Sequence, residues 1–103
     1  MVKLLVMVLL CSFHLYAQDV KNGEKLFGKC AACHGTDGMG KKSQNAPMLA
    51  GQYDWYIKTQ INNIKNQVRT NGNVKKMYPF VKNLSDGEIS DLAAYISQLA
   101  KKR

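Results

Sequence analysis

The chain of 103 residues has few of the sequence features that are typical of several common protein classes. It lacks alternating apolar and polar runs rich in β-branched side chains, so the sequence gives no support for a β-sheet or a βαβ unit. It contains only two prolines, one tryptophan and two histidines. The length is enough for one small domain, and domains of this size often need a cofactor or a cross-link to supplement their core.

Long hydrophobic runs are also absent. The longest apolar stretch, which follows the charged Lys3, is too short to cross a bilayer as a helix. With the small Ala17 after it, this stretch predicts a secretory signal peptide over residues 1–17 and a mature domain over residues 18–103. A retained N-terminal anchor is the alternative, because Leu15 is larger than the residue preferred before a cleavage site.

Cleavage would leave few ligands for a transition metal. Cys11 and His14 would leave with the leader, so Cys30, Cys33 and His34 would be the only cysteine and histidine side chains. A zinc site needs four ligands, and a redox dithiol of the thioredoxin type needs the missing βαβ context. No second histidine would remain to act as an acid or base.

What the chain does have is the contiguous motif Cys30-Ala31-Ala32-Cys33-His34. Two thiols three residues apart, followed at once by an imidazole, are the attachment site of a c-type haem. Two thioether bonds would hold one edge of the porphyrin, and the adjacent histidine would lie under the iron as the proximal ligand. The motif occurs once, so the sequence predicts one haem.

Acidic residues are scarce, which limits the partners. The chain has 7 Asp and Glu against 15 Lys and Arg, a formal net charge of +8. Without Lys3 of the leader the balance is about +7, which favours anionic partners. Nucleic acid is not expected for an exported protein without a recognised binding motif. An acidic redox partner or a membrane surface fits better.

Apolar residues at helical spacing predict three helices: residues 19–29 with Asp19 as N-cap, residues 53–68, and a helix from Ser85 to the end. The core-facing stripe of the second is Ile57, Ile61, Ile64 and Val68. That of the third is Ile89, Leu92, Ala93, Ile96, Leu99 and Ala100. Ser85 and Glu88 form a capping box. Residues 35–52 read as a loop, and residues 74–84 as a second irregular segment.

This order of helices, motif and loops resembles the class I c-type cytochromes. It is most similar to the small bacterial periplasmic monohaem type and to single domains of two-haem periplasmic cytochromes. Three stretches carry the resemblance: residues 30–38, residues 47–52 and residues 77–96. The resemblance implies an all-α fold with three main helices packed around one covalently attached haem.

The same resemblance implies roles for individual residues. Cys30 and Cys33 would be the thioether anchors, and His34 the proximal ligand. The backbone carbonyl of Pro47 would accept the other N–H of the imidazole, although an ordinary loop proline is the alternative. Tyr56 would lie near the haem propionates.

The sixth ligand is to be found among three methionines that follow the leader, Met39, Met48 and Met77. Met39 lies too soon after His34 to reach the opposite face of the haem. Met48 follows Pro47, which is assigned to the proximal side. Met77 resembles the family's ligand in its placement before the last helix, and a flexible core methionine is the alternative.

Further residues resemble structural positions of the family. Gly23, Phe27 and Tyr95 resemble the contact where the first and last helices cross. Three other residues remain open between haem contacts and ordinary surface or core positions: Trp55, Gln60 and Arg69. Of these, Arg69 is a candidate partner for a propionate, because a guanidinium suits carboxylate geometry.

With His34 and Met77 on its two faces, the iron can only change valence. The expected function is therefore single-electron shuttling in the periplasm by an electron carrier, not an enzyme. The alternatives are a cytochrome subunit of a larger periplasmic oxidoreductase, or a ligand-binding haem protein with a labile sixth site. Expected partners are a reductase or dehydrogenase donor and an oxidase or reductase acceptor.

Those partners are expected to have acidic docking surfaces. Six lysines flank the two haem-binding segments and could ring the haem edge to steer them: Lys29, Lys41, Lys42, Lys75, Lys76 and Lys82. A generally basic surface without steering is the alternative.

Overall fold

The computed structural model of the protein describes residues 18–100. The predicted leader, with Cys11 and His14, and the basic residues 101–103 lie outside this range. Four α-helices follow one another: α1 (Val20–His34), α2 (Asp54–Lys65), α3 (Tyr78–Val81) and α4 (Asp86–Gln98). Two 3₁₀ turns, Lys42–Gln44 and Gly72–Lys76, lie between them. No strand is present in this part of the chain, which confirms the predicted all-α fold.

Helix α1 begins where predicted but ends later than predicted. The Asp19 carboxylate accepts a hydrogen bond from the backbone N–H of Asn22, as an N-cap does. The helix then continues five residues past the predicted end at Lys29 and includes the whole Cys-Ala-Ala-Cys-His motif. The two alanines favour a helix, and the first residue with a positive φ, Gly35 at 85°, ends it.

Helix α2 is shorter than the predicted 53–68. Ile57, Ile61 and Ile64 are buried as expected, but the helix ends at Lys65 and Val68 is 75% exposed. The cause is a left-handed turn at Gln67, whose φ is 57°. After that turn the N–H groups of Val68 and Arg69 both donate to the Asn63 carbonyl, so the chain leaves the helical path.

The segment predicted as irregular over residues 74–84 contains short helical pieces instead. The turn Gly72–Lys76 runs directly into α3, with Met77 at the junction. Pro79 lies in the first turn of α3, where its missing N–H costs no hydrogen bond. Within the segment predicted to be irregular, this proline therefore helps to start a helix.

Helix α4 begins at the predicted capping box. The Ser85 hydroxyl accepts from the Glu88 N–H at 3.1 Å, and the Glu88 carboxylate accepts from the Ser85 N–H at 3.0 Å. The stripe from Ile89 to Ile96 is buried, which confirms that face. The prediction is wrong for the last residue of the stripe, because the helix ends at Gln98 and Ala100 is exposed.

Helices α1 and α4 cross at Gly23, as the resemblance implied. A Cβ at this position would lie 2.1 Å from the Asp91 carbonyl oxygen, so only glycine allows this approach. The rings of Phe27 and Tyr95 pack next to it with centroids 5.4 Å apart. The Asp91 carboxylate also accepts hydrogen bonds from the Asp19 N–H at 2.8 Å and the Asn22 amide at 2.9 Å. The crossing thus fixes the helix that carries the motif.

The core lies among α1, α2 and α4 and continues onto α3. Its buried members are Phe27, Ile57, Ile61, Ile64, Val81, Ile89, Leu92, Ala93 and Ile96. Among residues 18–100, no helix combines the length and apolar character needed to cross a membrane.

Candidate functional site

The motif occupies the last turns of α1, and its three functional side chains differ in exposure. Cys30 is half-buried, Cys33 is exposed and His34 is buried. Residues three apart in a helix lie side by side on its surface, so the two thiols share one side of α1. Burial raises the pKa of the Cys30 thiol; the nearby Cys33 adds to the rise and Lys29 opposes it.

The His34 imidazole is only 5% exposed and is held by a loop carbonyl. Its Nδ1 lies 2.9 Å from the carbonyl oxygen of Pro47, with the geometry of a hydrogen bond. A carbonyl can only accept, so we assign the proton to Nδ1 and the lone pair to Nε2. This tautomer leaves Nε2 able to bind a metal.

A tight loop sets the position of that carbonyl. The Gly40 N–H donates to the His34 carbonyl at 2.7 Å, and an isolated antiparallel bridge joins Lys41 and Ala46. Gly40 has a φ of 83°, and a Cβ there would lie 2.7 Å from the Pro47 carbonyl carbon. The residue therefore lets the loop fold back so that Pro47 reaches the imidazole.

Most of the side chains that line the space beside the half-buried thiol are apolar. A cleft beside Cys30 is lined by residues of α1, of α4 and of the segment around α3: Leu26, Lys29, Pro79, Phe80, Val81, Asn83, Leu84, Glu88 and Leu92. The residues present therefore suit a flat, largely apolar group attached at the thiols. Within residues 18–100, no three His, Cys, Asp or Glu side chains are grouped as a site for a bare metal ion.

The three methionines lie in different segments. Met77 is half-buried against the hydrophobic core, together with its neighbours Val74 and Tyr78. Its backbone is held on both sides, because its N–H donates to Val74 and its carbonyl accepts from Phe80. Met39 and Met48 are also half-buried, but both belong to the loop between α1 and α2. Met77 alone follows that loop and lies in the segment that begins α3.

The aromatic residues at the start of α2 contact one another, and the Arg69 side chain is hydrogen-bonded to a different residue of α2. Tyr56 contacts Trp55 edge to face, with ring centroids 6.1 Å apart. Arg69 Nη1 donates to the Gln60 side-chain oxygen at 3.0 Å, so these two candidates are brought together. Sequence reasoning missed Tyr53, which stacks on Trp55 and had no pattern to single it out.

The six lysines singled out in the sequence are all exposed. Lys41 is additionally tied to the motif, since its ammonium donates to the Ala32 carbonyl at 3.2 Å. The others carry charge into solvent next to the segments they flank.

Comparison with known proteins assigns the chain. The family profile described as Cytochrome c matches residues 20–100. Cytochrome c-554(548) of Halomonas halodenitrificans is 42% identical over 81 residues, which are 79% of this chain and 96% of that protein. The crystal structure of cytochrome c4 from Pseudomonas stutzeri matches with a TM-score of 0.72 at 32% identity, over 79% of this chain and 48% of that one. The structure of thiosulfate dehydrogenase from Marichromatium purpuratum matches with a TM-score of 0.71 at 29% identity, over 79% of this chain and 19% of that one.

The fold and the motif therefore define a class I c-type cytochrome domain. The chain belongs to the cytochrome c family. It spans nearly all of the Halomonas relative and about half of the cytochrome c4 chain. As in that family, its cofactor is one haem c, bound covalently through Cys30 and Cys33. It is an electron-transfer protein rather than an enzyme.

Proposed function

We propose that the protein is a free or loosely docked single-electron carrier of the periplasm, whose haem is held between His34 and Met77. The observation that carries this proposal is the fixed imidazole. His34 is buried at the end of α1, follows the thioether anchors directly and is hydrogen-bonded to Pro47 through Nδ1. A ring oriented this way presents Nε2, and the hydrogen bond increases its basicity as a ligand.

The position of Met77 supports its role as the second axial ligand. It is half-buried, packs against the core and lies between two short helical pieces that restrict its backbone. It also belongs to the segment that borders the cleft next to Cys30 through Pro79 and Phe80. Tyr56, 41% exposed at the start of α2, is the proposed neighbour of the propionates.

Filling both axial positions determines what the protein can do. When bound, the haem supplies a reversible one-electron change at its iron. The Met77 thioether would favour the reduced form and so raise the reduction potential. His34 and Met77 would also exclude exogenous ligands, and the packed helices would keep structural change on electron transfer small. These are the properties of a carrier.

The absorption spectrum of the ferric holoprotein tests the ligand pair. We expect the weak red charge-transfer band of methionine bound to ferric iron. Met77→Ala should abolish this band, whereas Met39→Ala and Met48→Ala, matched controls in the other loop, should retain it. A wild-type protein without the band, or a band lost in Met48→Ala instead, would contradict the assignment. In the first case, binding of carbon monoxide by the ferrous wild type would support a ligand-binding protein.

Export would be achieved by residues 1–17 as a cleaved signal peptide, with residues 18–103 as the mature domain. The mass of the purified holoprotein checks the proposal. Cleavage predicts a chain that begins near Gln18, and a mass that includes residues 1–17 would instead indicate a retained anchor.

Partner docking would use the exposed lysines around the two haem-binding segments. Without Lys3 of the leader, the excess of 14 Lys and Arg over 7 Asp and Glu favours an acidic partner surface. We expect association with such a partner to slow as salt rises, because screening weakens electrostatic steering. An association rate unchanged between low and high salt would show that the lysines are only a solvated surface.

A second candidate function is that of a cytochrome subunit in a larger periplasmic oxidoreductase. The similarity to part of the thiosulfate dehydrogenase structure, of which this chain spans 19%, favours it. A stable second subunit that purifies with the haem protein would support this candidate. A single chain on native size measurement would support the free carrier.

A further inference from the structure

The sequence contains two Asn-Gly dipeptides, Asn22-Gly23 and Asn71-Gly72, and the structure holds them in different ways. An asparagine before a glycine readily loses its side-chain amide, because glycine has no side chain to hinder attack by its own backbone nitrogen. In a folded protein this reaction depends on the local freedom of the amide and of the attacking nitrogen. The two dipeptides therefore form a comparison within one chain.

Both reacting groups of the second dipeptide are accessible. Asn71 and Gly72 are exposed. Asn71 precedes the turn Gly72–Lys76 with an extended backbone, and its side chain makes no capping hydrogen bond to that turn. Gly72 is the first residue of the turn, so its N–H has no acceptor within the turn. A Cβ at Gly72 would meet no atom within 4 Å, so no part of the described chain crowds this position.

At the first dipeptide, helix α1 and its crossing with α4 hold both groups. The Asn22 side-chain amide donates to the Asp91 carboxylate at 2.9 Å, and the Gly23 N–H donates to the Asp19 carbonyl at 3.0 Å. Gly23 is also buried against the backbone of α4. Attack of the Gly23 nitrogen on the Asn22 amide would require the start of α1 to open. The same attack at Asn71 requires only rotation about exposed bonds.

We propose that Asn71 is a site of spontaneous deamidation in the folded protein, whereas Asn22 is protected by its helix. The Gly72 backbone nitrogen gives up its proton to hydroxide and bonds to the side-chain carbonyl carbon of Asn71. The bond from that carbon to the amide nitrogen breaks, and the nitrogen takes up a proton from water and leaves as ammonia. Water then opens the five-membered imide at either of its carbonyl groups, which leaves an aspartate or an isoaspartate at position 71.

The product would place a negative charge in a basic stretch of the surface. Residues 69–76 contain Arg69, Lys75 and Lys76 and no acidic residue. A carboxylate at position 71 would offset one of these three positive charges, and the modified form would accumulate with the age of the protein because the ammonia is lost. An effect on partner docking would rest on the proposed lysine surface. The modification itself depends neither on that surface nor on the axial ligands of the haem.

Peptide mapping by mass spectrometry tests the proposal on the full-length holoprotein. The protein is kept folded in mildly alkaline buffer, sampled over time and digested at mildly acidic pH, so that the digestion itself adds no deamidation. We expect the amide-to-acid mass change at Asn71 to proceed about tenfold or more faster than at Asn22, because a closed helix reacts only from its rare open form. Asn73 should also react slowly, since the branched side chain of Val74 hinders the same attack.

Asn71→Gln should stop the change at this position over the same period, because the longer side chain would have to close a less favourable six-membered ring. The haem spectrum and the helical circular dichroism verify that both proteins stay folded throughout. An Asn71 that stays unmodified in the holoprotein for the time in which a synthetic peptide of residues 70–75 reacts would overturn the proposal. Equal rates at Asn71 and Asn22 would also overturn it, since the fold would then not select between the two sites.

Discussion

The two sides of the haem site are held by different means. On the proximal side, His34 is fixed by its position next to the thioether anchors, by burial and by the hydrogen bond to Pro47. On the proposed distal side, Met77 is positioned by packing against the core and by the backbone of two short helical pieces. A thioether has no N–H to donate, so no carbonyl can hold it as Pro47 holds the imidazole.

The difference predicts that the two proposed axial ligands are held with unequal strength. A ligand with covalent, steric and hydrogen-bonded constraints should stay in place under conditions that free a ligand held by packing alone. The proximal side would therefore define where the haem lies, and the proposed distal side would adjust its electronic properties. Each of the following experiments changes one side, or the helix crossing that fixes α1, and compares it with a matched control.

Removal of the proposed distal ligand should have the largest effect on function. Met77→Ala should lower the reduction potential by roughly 0.1–0.3 V, within the ~0.8 V that axial ligands span. The reason is that a thioether favours ferrous iron, and its loss removes that preference. Redox titration of the purified variant measures the shift. Met48→Ala should leave the potential close to that of the wild type. An equal drop in both variants would contradict Met77 as the ligand.

Adding a side chain where α1 and α4 cross should have the largest effect on stability. Gly23→Ala should destabilise the protein by about 2–3 kcal/mol, because its Cβ would lie 2.1 Å from the Asp91 carbonyl oxygen. Gly28→Ala, in the same helix, has no atom within 4 Å of the new Cβ and should stabilise by about 0.5–1 kcal/mol. Denaturant unfolding of the holoprotein measures both. Equal effects of the two substitutions would mean that the crossing is not tight.

The proximal hydrogen bond can be tested through the loop that supports it. Gly40→Ala and Gly72→Ala both place a side chain at a positive φ, 83° and 60°, and share a cost of about 1–2 kcal/mol. Only at Gly40 would the new Cβ also press on the Pro47 carbonyl, 2.7 Å away. We expect Gly40→Ala alone to weaken that hydrogen bond, lower the basicity of the imidazole and raise the reduction potential. A potential unchanged relative to Gly72→Ala would show that Pro47 does not tune His34.

The two sides of the haem site also differ in how well the sequence predicts them, because one is built from adjacent residues and the other from contacts with distant parts of the chain. The proximal motif and the capping box at Ser85 are local, because adjacent residues supply both partners, so the sequence predicts them. The resemblance allowed Gly23 to be placed at a helix contact. The end of α2 could not be predicted, because the apolar spacing favours a helix up to Val68, whereas the left-handed conformation of Gln67 ends it earlier.

The distal segment was the hardest to predict, and Pro79 shows why. A proline in a segment without a clear helical pattern indicates a loop, yet the same residue is favourable in the first turn of a helix. Which of the two applies depends on whether the surrounding residues pack, and here Val74, Met77 and Tyr78 contact the core. That contact is made with distant parts of the chain, so local sequence patterns do not contain it. The stacking of Tyr53 on Trp55 was missed for a related reason, since no spacing rule marks an exposed pair.

The most direct test of Met77 as the second axial ligand, opposite His34, is the proton NMR spectrum of the ferrous holoprotein. A methyl group bound above the porphyrin plane is strongly shielded by the ring current, so its resonance moves far upfield of the other methyl signals. We predict one such methionine methyl resonance in the wild type, in Met39→Ala and in Met48→Ala, and none in Met77→Ala. A wild-type spectrum without the shifted methyl, or one that keeps it in Met77→Ala, would contradict the assignment.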